Sequence, residues 1–343
     1  MSELRKDPLL DRWVIIAPER DRPPQATYGA APAAPEQPAP CPFCPGNEHL
    51  TPDEIASVRR QGGPWDLRVF PHREPALRVE GELEPRAHGL LEQLRGLGAH
   101  EVVVETPTHR SGWADLGVEQ VVAILELWQA RQRDLYQDGR LEHVMIYKLH
   151  DPSGRVGGWR GAVHHSHSHV IGLPITPKEL QGRIERSLTH LRRTRRCLVC
   201  DLLEQALRER ERIVAADEHA VVLAPWASRF PFELRLAPRR HQHAFVDASR
   251  PEIASVARLL VDACSRLRVA LDDPPFDLTL HSAPNPHPHR PHPFSGKDVP
   301  LAWHWHMDLV PRILPYDGST DATGLHVNPT PPELAAAHLR GLA

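Results

Sequence analysis

The stretch HSHSHVIGLPI at residues 165–175 ends the first of two copies of one cysteine and histidine pattern. In that copy CPFC at 41–44 comes first, and His109 follows before the histidine cluster. The second copy has the same order, with CLVC at 197–200, His241 and HWH at 304–306. Because the order is repeated, chance is a poor explanation for either copy. The pattern predicts a chain built from two similar halves.

Each copy contains the ligand set of a zinc site. Two thiolates and two imidazoles satisfy the tetrahedral preference of Zn²⁺ and leave no open position, which is typical of a structural site. The alternative is a group of unlinked core and surface residues, and the repeat favours zinc at one site or at both. The predicted ligands are Cys41, Cys44, His109 and His165 in the first half and Cys197, Cys200, His241 and His304 in the second.

Composition excludes several classes of protein. A chain of 343 residues with a formal net charge of -3 has no general attraction for nucleic acid or anionic membranes. The start, MSELRKDPLLDRWVIIAP, lacks the apolar core of a signal peptide, and no apolar run is long enough to span a bilayer. Four of the five cysteines form the two pairs, which in a reducing compartment more often bind metal than form disulfides. We therefore expect a cytoplasmic protein without nucleic acid or membrane partners.

The secondary-structure patterns repeat as well. In the first half, the strand pattern HEVVVETP precedes a helical pattern over 118–136 and the strand patterns HVMIYKLH and HSHVIGLPI. In the second half, VVLAP and FELRLAP precede a helical pattern over 251–271 and the strand patterns DLTLH and HWHMDLVPRI. Strands, one long helix and a hairpin in each half predict an α+β fold with antiparallel sheet and flanking helices. We place the N-terminal half at 1–190 and the C-terminal half at 191–343.

The chain also resembles a known family, the galactose-1-phosphate uridylyltransferases, a branch of the histidine triad superfamily that also contains the ADP-glucose phosphorylases. The resemblance spans nearly the whole chain. It rests on signatures in the family's order: CPFCPGNE at 41–48, HEVVVETPTH at 100–109, HSHSH at 165–169, ASRFPFE at 227–233, HWHMDLVPR at 304–312 and VNPTPPE at 327–333. It implies tandem histidine-triad-like halves. It also implies a nucleotidyltransferase in which His167 attacks a nucleoside diphosphate sugar, carries the nucleoside monophosphate covalently and passes it to a sugar 1-phosphate.

The residues around His167 suit that chemistry. Side chains of a strand alternate with period two, so His167 shares a face with the predicted ligand His165 without being needed by the metal. A neutral imidazole is nucleophilic at neutral pH and also leaves easily, so a histidine–phosphorus bond divides one hard transfer into two easier ones. We expect a backbone carbonyl to bind the far ring nitrogen of His167 and to fix its tautomer. The alternative is that His167 only supports the metal ligand.

Substrate contacts are implied by the resemblance. Arg20 and Arg22 resemble the anion-binding arginines of the family, although this segment is one residue shorter here. Glycines before the histidine cluster, at 157, 158 and 161, would let backbone N–H groups approach phosphate oxygens. The predicted substrate-binding residues are Arg20, Arg22, His72, Gly161 and Ser166. The resemblance further implies a homodimer that binds a nucleoside diphosphate sugar and a sugar 1-phosphate.

His169 departs from the family, which has glutamine at this position. Glutamine donates hydrogen bonds to a phosphate but exchanges no proton, whereas histidine does both. Hydrolytic members of the superfamily also have histidine here. We therefore predict His167 and His169 as the catalytic residues, with a nucleotide-sugar or dinucleotide phosphorylase or hydrolase as the alternative activity.

Three further departures fall in the expected substrate pocket. His72 stands where the family has asparagine, Leu149 or His150 where it has another, and Thr320 or Asp321 near an expected glutamate. These differences leave open the base, the sugar and the pathway. They also keep open a different class, a zinc-stabilised nucleotide-binding protein that has lost the chemistry.

The second half is interpreted as structural. His306 corresponds to His167, but the flanking tryptophans and the following Asp308 indicate packing. In some family members the equivalents of His281, His304 and His306 contribute to an iron site. Iron is therefore the less favoured alternative to a second zinc ion.

Overall fold

The computed structural model describes residues 1–20, 40–59, 65–109, 111–152, 164–289, 294, 296–314 and 323–342. These residues form one large antiparallel sheet with helices packed on it, so the predicted α+β fold is confirmed. Among them, no helix combines the length and the apolar composition that crossing a lipid bilayer requires. The cytoplasmic location stays a prediction.

The secondary-structure elements are numbered along the chain. The strands are β1 (Glu3–Lys6), β2 (Trp13–Ile16), β3 (Ala56–Val58), β4 (Leu67–Pro71), β5 (Arg86–His88), β6 (Leu91–Gln93), β7 (Ala99–Val104), β8 (His143–His150), β9 (His167–Leu173), β10 (Ile213–Ala216), β11 (Ala220–Leu223), β12 (Leu234–Pro238), β13 (Phe276–His281), β14 (His306–Pro311) and β15 (His326–Asn328). The α-helices are α1 (Val118–Leu135), α2 (Lys178–Thr194), α3 (Leu198–Glu209), α4 (Arg250–Leu271), α5 (Val299–Ala302) and α6 (Pro332–Arg340). Short 3-10 helices cover Pro18–Arg20, Glu48–Leu50 and Phe245–Asp247.

The large sheet has ten strands in the order β10–β11–β12–β14–β13–β8–β9–β7–β4–β3. Its two halves follow the same path: β3, β4 and β7 precede α1, β8 and β9, whereas β10, β11 and β12 precede α4, β13 and β14. β8 and β13 pair in the middle, where Ile146 lies opposite Leu280. The two copies of the path therefore share one continuous sheet. The predicted boundary at residue 190 falls inside α2 and stays a prediction.

The long helix of each half packs on one face of the sheet. α1 and α4 lie where the sequence predicted helices, and both predictions are confirmed. α1 buries Val121, Leu125 and Trp128, which recur at helical spacing. α4 begins with a capping box in which the Glu252 carboxylate accepts a hydrogen bond from the Ser249 N–H at 2.8 Å. The two helices form a hydrophobic core with one face of the large sheet. This packing holds the strand backbones in place, and the opposite face of the same strands carries other side chains.

The opposite face carries the two cysteine pairs. In the first half, Phe43 packs on Phe70, Val102 and Val104, which are alternate residues of β4 and β7. In the second half, α2 and α3 pack on the strands β11 and β12. The two halves therefore differ in what covers this face, although their strands follow the same path.

The other described strands form two smaller sheets. β1, β2 and β15 form a second sheet, in which the parallel pairing of β2 with β15 joins the two ends of the chain. β5 and β6 form a separate hairpin whose residues, Arg86–His88 and Leu91–Gln93, are all exposed.

Candidate active site and metal centres

The first predicted ligand set comes together beside β9. Nδ1 of His165 lies 3.6 Å from Sγ of both Cys41 and Cys44. Nδ1 of His109 lies 3.5 Å from Sγ of Cys44. Bonds of about 2.3 Å to sulfur and about 2.1 Å to nitrogen at tetrahedral angles would separate the two atoms by roughly 3.6 Å. The Nε2–H of His165 donates to the carbonyl of Thr106 at 2.7 Å, which leaves Nδ1 for a metal. These residues fit one tetrahedral metal ion.

The second predicted set comes together in the same way on the other half of the face. Sγ of Cys200 lies 3.3 Å from Nδ1 of His241 and 3.3 Å from Nδ1 of His304. The Nε2–H of His241 donates to the carbonyl of Pro300 at 2.8 Å. The lone pair of His241 therefore lies on Nδ1, the nitrogen that faces the sulfur of Cys200 and could bind a metal. With Cys197, this set could bind a second metal ion.

A third group, His281, His306 and Asp308, also brings ligand atoms together. The iron alternative combined His281 and His306 with His304, but Nδ1 of His304 is turned toward Cys200. Arg183 and Arg235 instead approach this group, with guanidinium nitrogens 3.1 and 2.8 Å from the carboxylate of Asp308. Two positive groups occupy the oxygens that a cation would use. The arrangement fits a buried ion-pair network better than an iron site.

His167 begins β9 and is oriented by the backbone. Its Nδ1–H donates to the carbonyl of His165 at 2.7 Å, so the predicted carbonyl contact is confirmed. The tautomer places the lone pair on Nε2. Burial lowers the pKa of His167 to about 4, because the charged form is poorly solvated there. The ring of Phe43 packs edge-on at 5.3 Å. His167 is therefore a neutral imidazole whose Nε2 lone pair is not used by this backbone hydrogen bond.

A buried ion pair lies beneath His167. The carboxylate of Glu105 accepts hydrogen bonds from Lys148 at 2.5 Å, from Ser166 at 2.6 Å and from Trp113 at 2.9 Å. Lys148 also donates to the carbonyl of His167 at 3.3 Å. Burial alone would raise the pKa of Glu105, but Lys148 and the other donors lower it. The hydroxyl of Ser166, predicted to bind substrate, belongs to this network and supports the strand from its rear face.

Four aromatic rings lie in layers next to His167. Nδ1 of His169 is 3.1 Å from Nε2 of His100. Tyr147 stacks on His169 with 4.9 Å between ring centroids, and His72 stacks on His100 at 4.2 Å. The centroid of His169 is 5.1 Å from that of His167. The strands β7, β8 and β9, with the residue that follows β4, thus bring two predicted residues, His169 and His72, together with two that were not predicted.

His100 and Tyr147 were missed because their sequence signal is indirect. The pattern HEVVVETP alternates, which places His100 on the same face as Val102. Only the register, with Val102 opposite His169, brings that face to the histidine cluster. Tyr147 likewise lies opposite His169 on β8. The strands and the pairing of β8 with β9 in a hairpin were predicted and are confirmed, whereas the residue-by-residue register was not predicted.

The other positions expected in the substrate pocket do not join the layered rings beside His167 in the described part of the chain. Arg20 is exposed at the end of the 3-10 helix Pro18–Arg20. Leu149 is exposed, and Nε2 of His150 lies 3.0 Å from the carboxylate of Asp273. The predictions that lie outside the described residues concern Arg22, Gly157, Gly158, Gly161, Thr320 and Asp321.

The duplicated sheet, with a His-x-His-x-His segment that leads into β9 beside a Cys₂His₂ centre, defines a protein of the histidine triad type. A sequence model described as "Galactose-1-phosphate uridyl transferase, N-terminal domain" matches residues 1–172. The chain therefore belongs to the galactose-1-phosphate uridylyltransferase family, and the predicted resemblance and its nucleotidyltransferase class are confirmed.

Relatives match over nearly their whole lengths. The chain is 27% identical to an ADP-glucose phosphorylase of Arabidopsis thaliana over 341 residues, which is 98% of this chain and 92% of the relative. It is 28% identical to a galactose-1-phosphate uridylyltransferase of Thermotoga maritima over 350 residues, covering 99% and 98%. A crystal structure of an ADP-glucose phosphorylase from Arabidopsis thaliana with bound ADP-glucose has a TM-score of 0.83 at 26% identity and covers 100% of both chains. The likeness extends to two activities within one family.

Proposed function

We propose that this chain transfers a nucleoside monophosphate from a nucleoside diphosphate sugar to a sugar 1-phosphate through a covalent bond to Nε2 of His167. The observation that carries the proposal is the 2.7 Å hydrogen bond from Nδ1 of His167 to the carbonyl of His165. It leaves the lone pair on Nε2, and burial keeps the ring neutral. A nucleophile that attacks phosphorus at neutral pH needs both properties.

The proposed reaction has two displacement steps. In the first, Nε2 of His167 attacks the α-phosphorus, the N–P bond forms, and the bond from phosphorus to the bridging oxygen breaks. The sugar 1-phosphate leaves with that electron pair. In the second, an ionised oxygen of the acceptor attacks the same phosphorus, and the N–P bond breaks to return its electron pair to Nε2. Neither step requires a base to ionise the acceptor, because a phosphate oxygen is already charged.

We propose zinc for both Cys₂His₂ sets. At the first set, zinc would hold Cys41, Cys44 and His165 together and so fix the backbone carbonyl that orients His167. Four protein ligands leave no open coordination position, so the metal supplies position rather than reactivity. The contribution to catalysis is therefore the alignment of His167 with the phosphorus.

A phosphorylase is the second candidate function. It is favoured by the likeness to an ADP-glucose phosphorylase over nearly the full length of both chains. The two candidates share the first step and the adduct on His167. They differ only in the acceptor, which is inorganic phosphate for the phosphorylase and a sugar 1-phosphate for the transferase. A hydrolase, with water as acceptor, is the third outcome of the same second step.

The test of the adduct is intact-protein mass spectrometry. The protein is incubated with UDP-glucose, UDP-galactose, ADP-glucose or GDP-mannose and quenched without acid, because the N–P bond is acid-labile. We expect a mass gain of one nucleoside monophosphate with at least one donor, which also identifies the base. His167→Asn should abolish it, and His306→Asn, the matched change in the second half, should retain it. Thermal unfolding confirms that both variants are folded.

The acceptor is identified by a second mixing step. The purified adduct is mixed with glucose 1-phosphate, galactose 1-phosphate, inorganic phosphate or buffer alone, and its decay is followed by mass. Fast decay with a sugar 1-phosphate supports the transferase, and fast decay with inorganic phosphate supports the phosphorylase. Folded protein that forms no adduct and releases no sugar 1-phosphate with any donor would contradict both, and nucleotide binding without chemistry would then favour a non-catalytic binding protein.

We also propose a homodimer, as the family resemblance implies. The observation to make is the molar mass in solution, by light scattering after size-exclusion chromatography. A value near twice the 38.6 kDa of one chain supports the dimer, and a value near 38.6 kDa contradicts it.

A further inference from the structure

We propose that His100 is a positioning residue that holds His169 as a hydrogen-bond donor with its proton on Nε2, so that His169 binds a substrate phosphate without exchanging a proton. The inference rests on the proposed function, in which the neighbouring His167 carries the transferred nucleotide. It gives His169 a role different from the acid or base that its residue type suggests.

The contact between the two rings follows from strand register. Val102 of β7 lies opposite His169 of β9, and His100, two residues before Val102, projects from the same face. Nε2 of His100 lies 3.1 Å from Nδ1 of His169. One of these two nitrogens donates and the other accepts, so the hydrogen bond couples the tautomer of one ring to that of the other.

Nδ1 of His100 decides between the two arrangements. This atom is buried and has no hydrogen-bond partner among the residues described above. If it carried the proton, a buried N–H would lack an acceptor, which is rare and costly. With the proton on Nε2, His100 donates to Nδ1 of His169, and only a ring lone pair is left buried. His169 must then carry its own proton on Nε2.

Stacking holds both rings in place. His72 and His100 are nearly parallel, with an interplanar angle of 10°, and Tyr147 and His169 meet at 17°. These layers restrict tilting of the hydrogen-bonded pair. His167 meets His169 nearly edge-on, at 74°, which places the donor ring directly beside the nucleophile. A phosphate attached to His167 would therefore lie next to His169.

The charged form of His169 is excluded by its surroundings. The pKa of His169 is lowered to about 2. Burial is the largest cause, and the charges of the neighbouring groups lower the pKa further; these groups are His167, His100, His72 and Lys148. Burial and His72 likewise lower the pKa of His100 to about 4.

A neutral ring with its proton on Nε2 donates to a phosphate oxygen but has no lone pair there to take a proton from water. Hydrolysis of the adduct would then lack a general base at this position, whereas an ionised phosphate acceptor needs none.

The first test needs no substrate. Protein labelled with ¹⁵N in its histidine rings is examined by long-range ¹H–¹⁵N correlation, and the signals of His169 are identified by their loss in His169→Gln. We expect a pyrrole-type shift for Nε2 and a pyridine-type shift for Nδ1, unchanged between pH 5 and pH 8. A protonated Nδ1, or a signal that titrates in this range, overturns the proposal even if the protein forms an adduct.

The second test is a double-mutant cycle on the rate of adduct formation. His100→Phe keeps a ring under His72 but cannot donate, so we expect the rate to fall by up to roughly hundredfold, because complete loss of one aligned donor costs roughly 10²–10³-fold. In the His169→Gln background, His100→Phe should lower the rate of adduct formation by less than about twofold. The amide of glutamine has N–H donors that do not depend on a tautomer, so they do not need His100. Equal losses in both backgrounds would show that His100 acts only through packing.

The two tests separate this inference from the proposed function. If the wild-type protein forms no adduct with any nucleotide sugar, the proposed function fails, and the ring spectrum still decides the tautomer of His169. If the adduct forms and the spectrum shows Nδ1–H, the proposed function stands and the role of His100 fails.

Discussion

Nη1 of Arg183 lies 3.0 Å from Nε2 of His306, so the outer ring nitrogen of the second half's histidine faces a guanidinium. As in His167, the Nδ1 atom of His306 lies near the carbonyl of the residue two positions earlier, which is 3.0 Å away on His304. α2 crosses this half of the sheet, and its Arg183 also binds Asp308, which Arg235 binds from β12. A lone pair engaged by a donor is a poor nucleophile. Among the described residues, the two halves therefore differ at this position: a guanidinium engages the outer ring nitrogen of His306, whereas the hydrogen bond of His167 to the backbone leaves its outer nitrogen unused.

Arg183→Met should lower the free energy of unfolding by about 3 kcal/mol or more, because the buried carboxylate of Asp308 loses one of its two cationic partners. Arg186→Met is the matched control on the same helix. The Arg186 side chain is 36% exposed, against 4% for Arg183, and its ion pair with Asp11 lies at the surface. The control should change stability by less than about 1 kcal/mol. Urea unfolding measures both, and similar losses for the two variants would argue against a structural role of the buried network.

The sequence was sufficient to predict the elements that depend on local pattern. The long helices, the alternating strands and the two Cys-x-x-Cys pairs follow from spacing within a segment, whereas their distant histidines were assigned from the order that the two copies share. Arg183 was not predictable, because its helix reaches His306 only through the tertiary packing of α2 on the second half. Ser166 was assigned to substrate binding from its motif position, which stays a prediction, and its hydrogen bond with Glu105 was not foreseen. Period-two alternation turns its side chain away from His165 and His167, toward Glu105.

Metal analysis should find two zinc ions per chain in protein purified without chelator. Cys41→Ser and Cys197→Ser form a matched pair, and each should remove about one zinc. We expect Cys41→Ser also to reduce adduct formation by at least tenfold, because His165 is released and with it the carbonyl that orients His167. Cys197→Ser should lower stability while the folded fraction still forms the adduct. Iron in place of the second zinc, or equal losses of adduct in both variants, would contradict this assignment.

The free energy of unfolding should decrease as the pH falls from about 6.5 toward 3. Burial, and to a smaller extent His281, lowers the pKa of His143 to about 3, whereas histidine in an unfolded chain titrates near 6.5. Between these values the unfolded chain binds a proton that the folded protein does not. Stability is therefore complete above about pH 6.5 and is lost on acidification, by up to about 1.4 kcal/mol per pH unit for one such group.

His143→Phe tests this dependence, because it replaces the buried ring without a titrating group. Chemical denaturation at several pH values should give a slope that is smaller than that of the wild type by close to one proton. His100 and His281, whose pKa values are lowered to about 4, mainly by burial, account for part of the slope that remains. A variant with the wild-type slope would show that His143 does not stay neutral in the folded protein.

Lys148→Met should be among the most damaging single changes in the first half. Glu105 and Lys148 are 0% and 1% exposed, so removal of the ammonium leaves a buried carboxylate without its counter-charge. Removal of one partner of a buried ion pair lowers the free energy of unfolding by about 3–5 kcal/mol. Adding Glu105→Gln removes the uncompensated charge while an amide can still be held by Ser166 and Trp113, so the double variant should recover much of the stability. Strictly additive losses in guanidinium unfolding would contradict the pairing.

Because Lys148 also donates to the carbonyl of His167, the double variant should still form the adduct more slowly than the wild type even where it is fully folded.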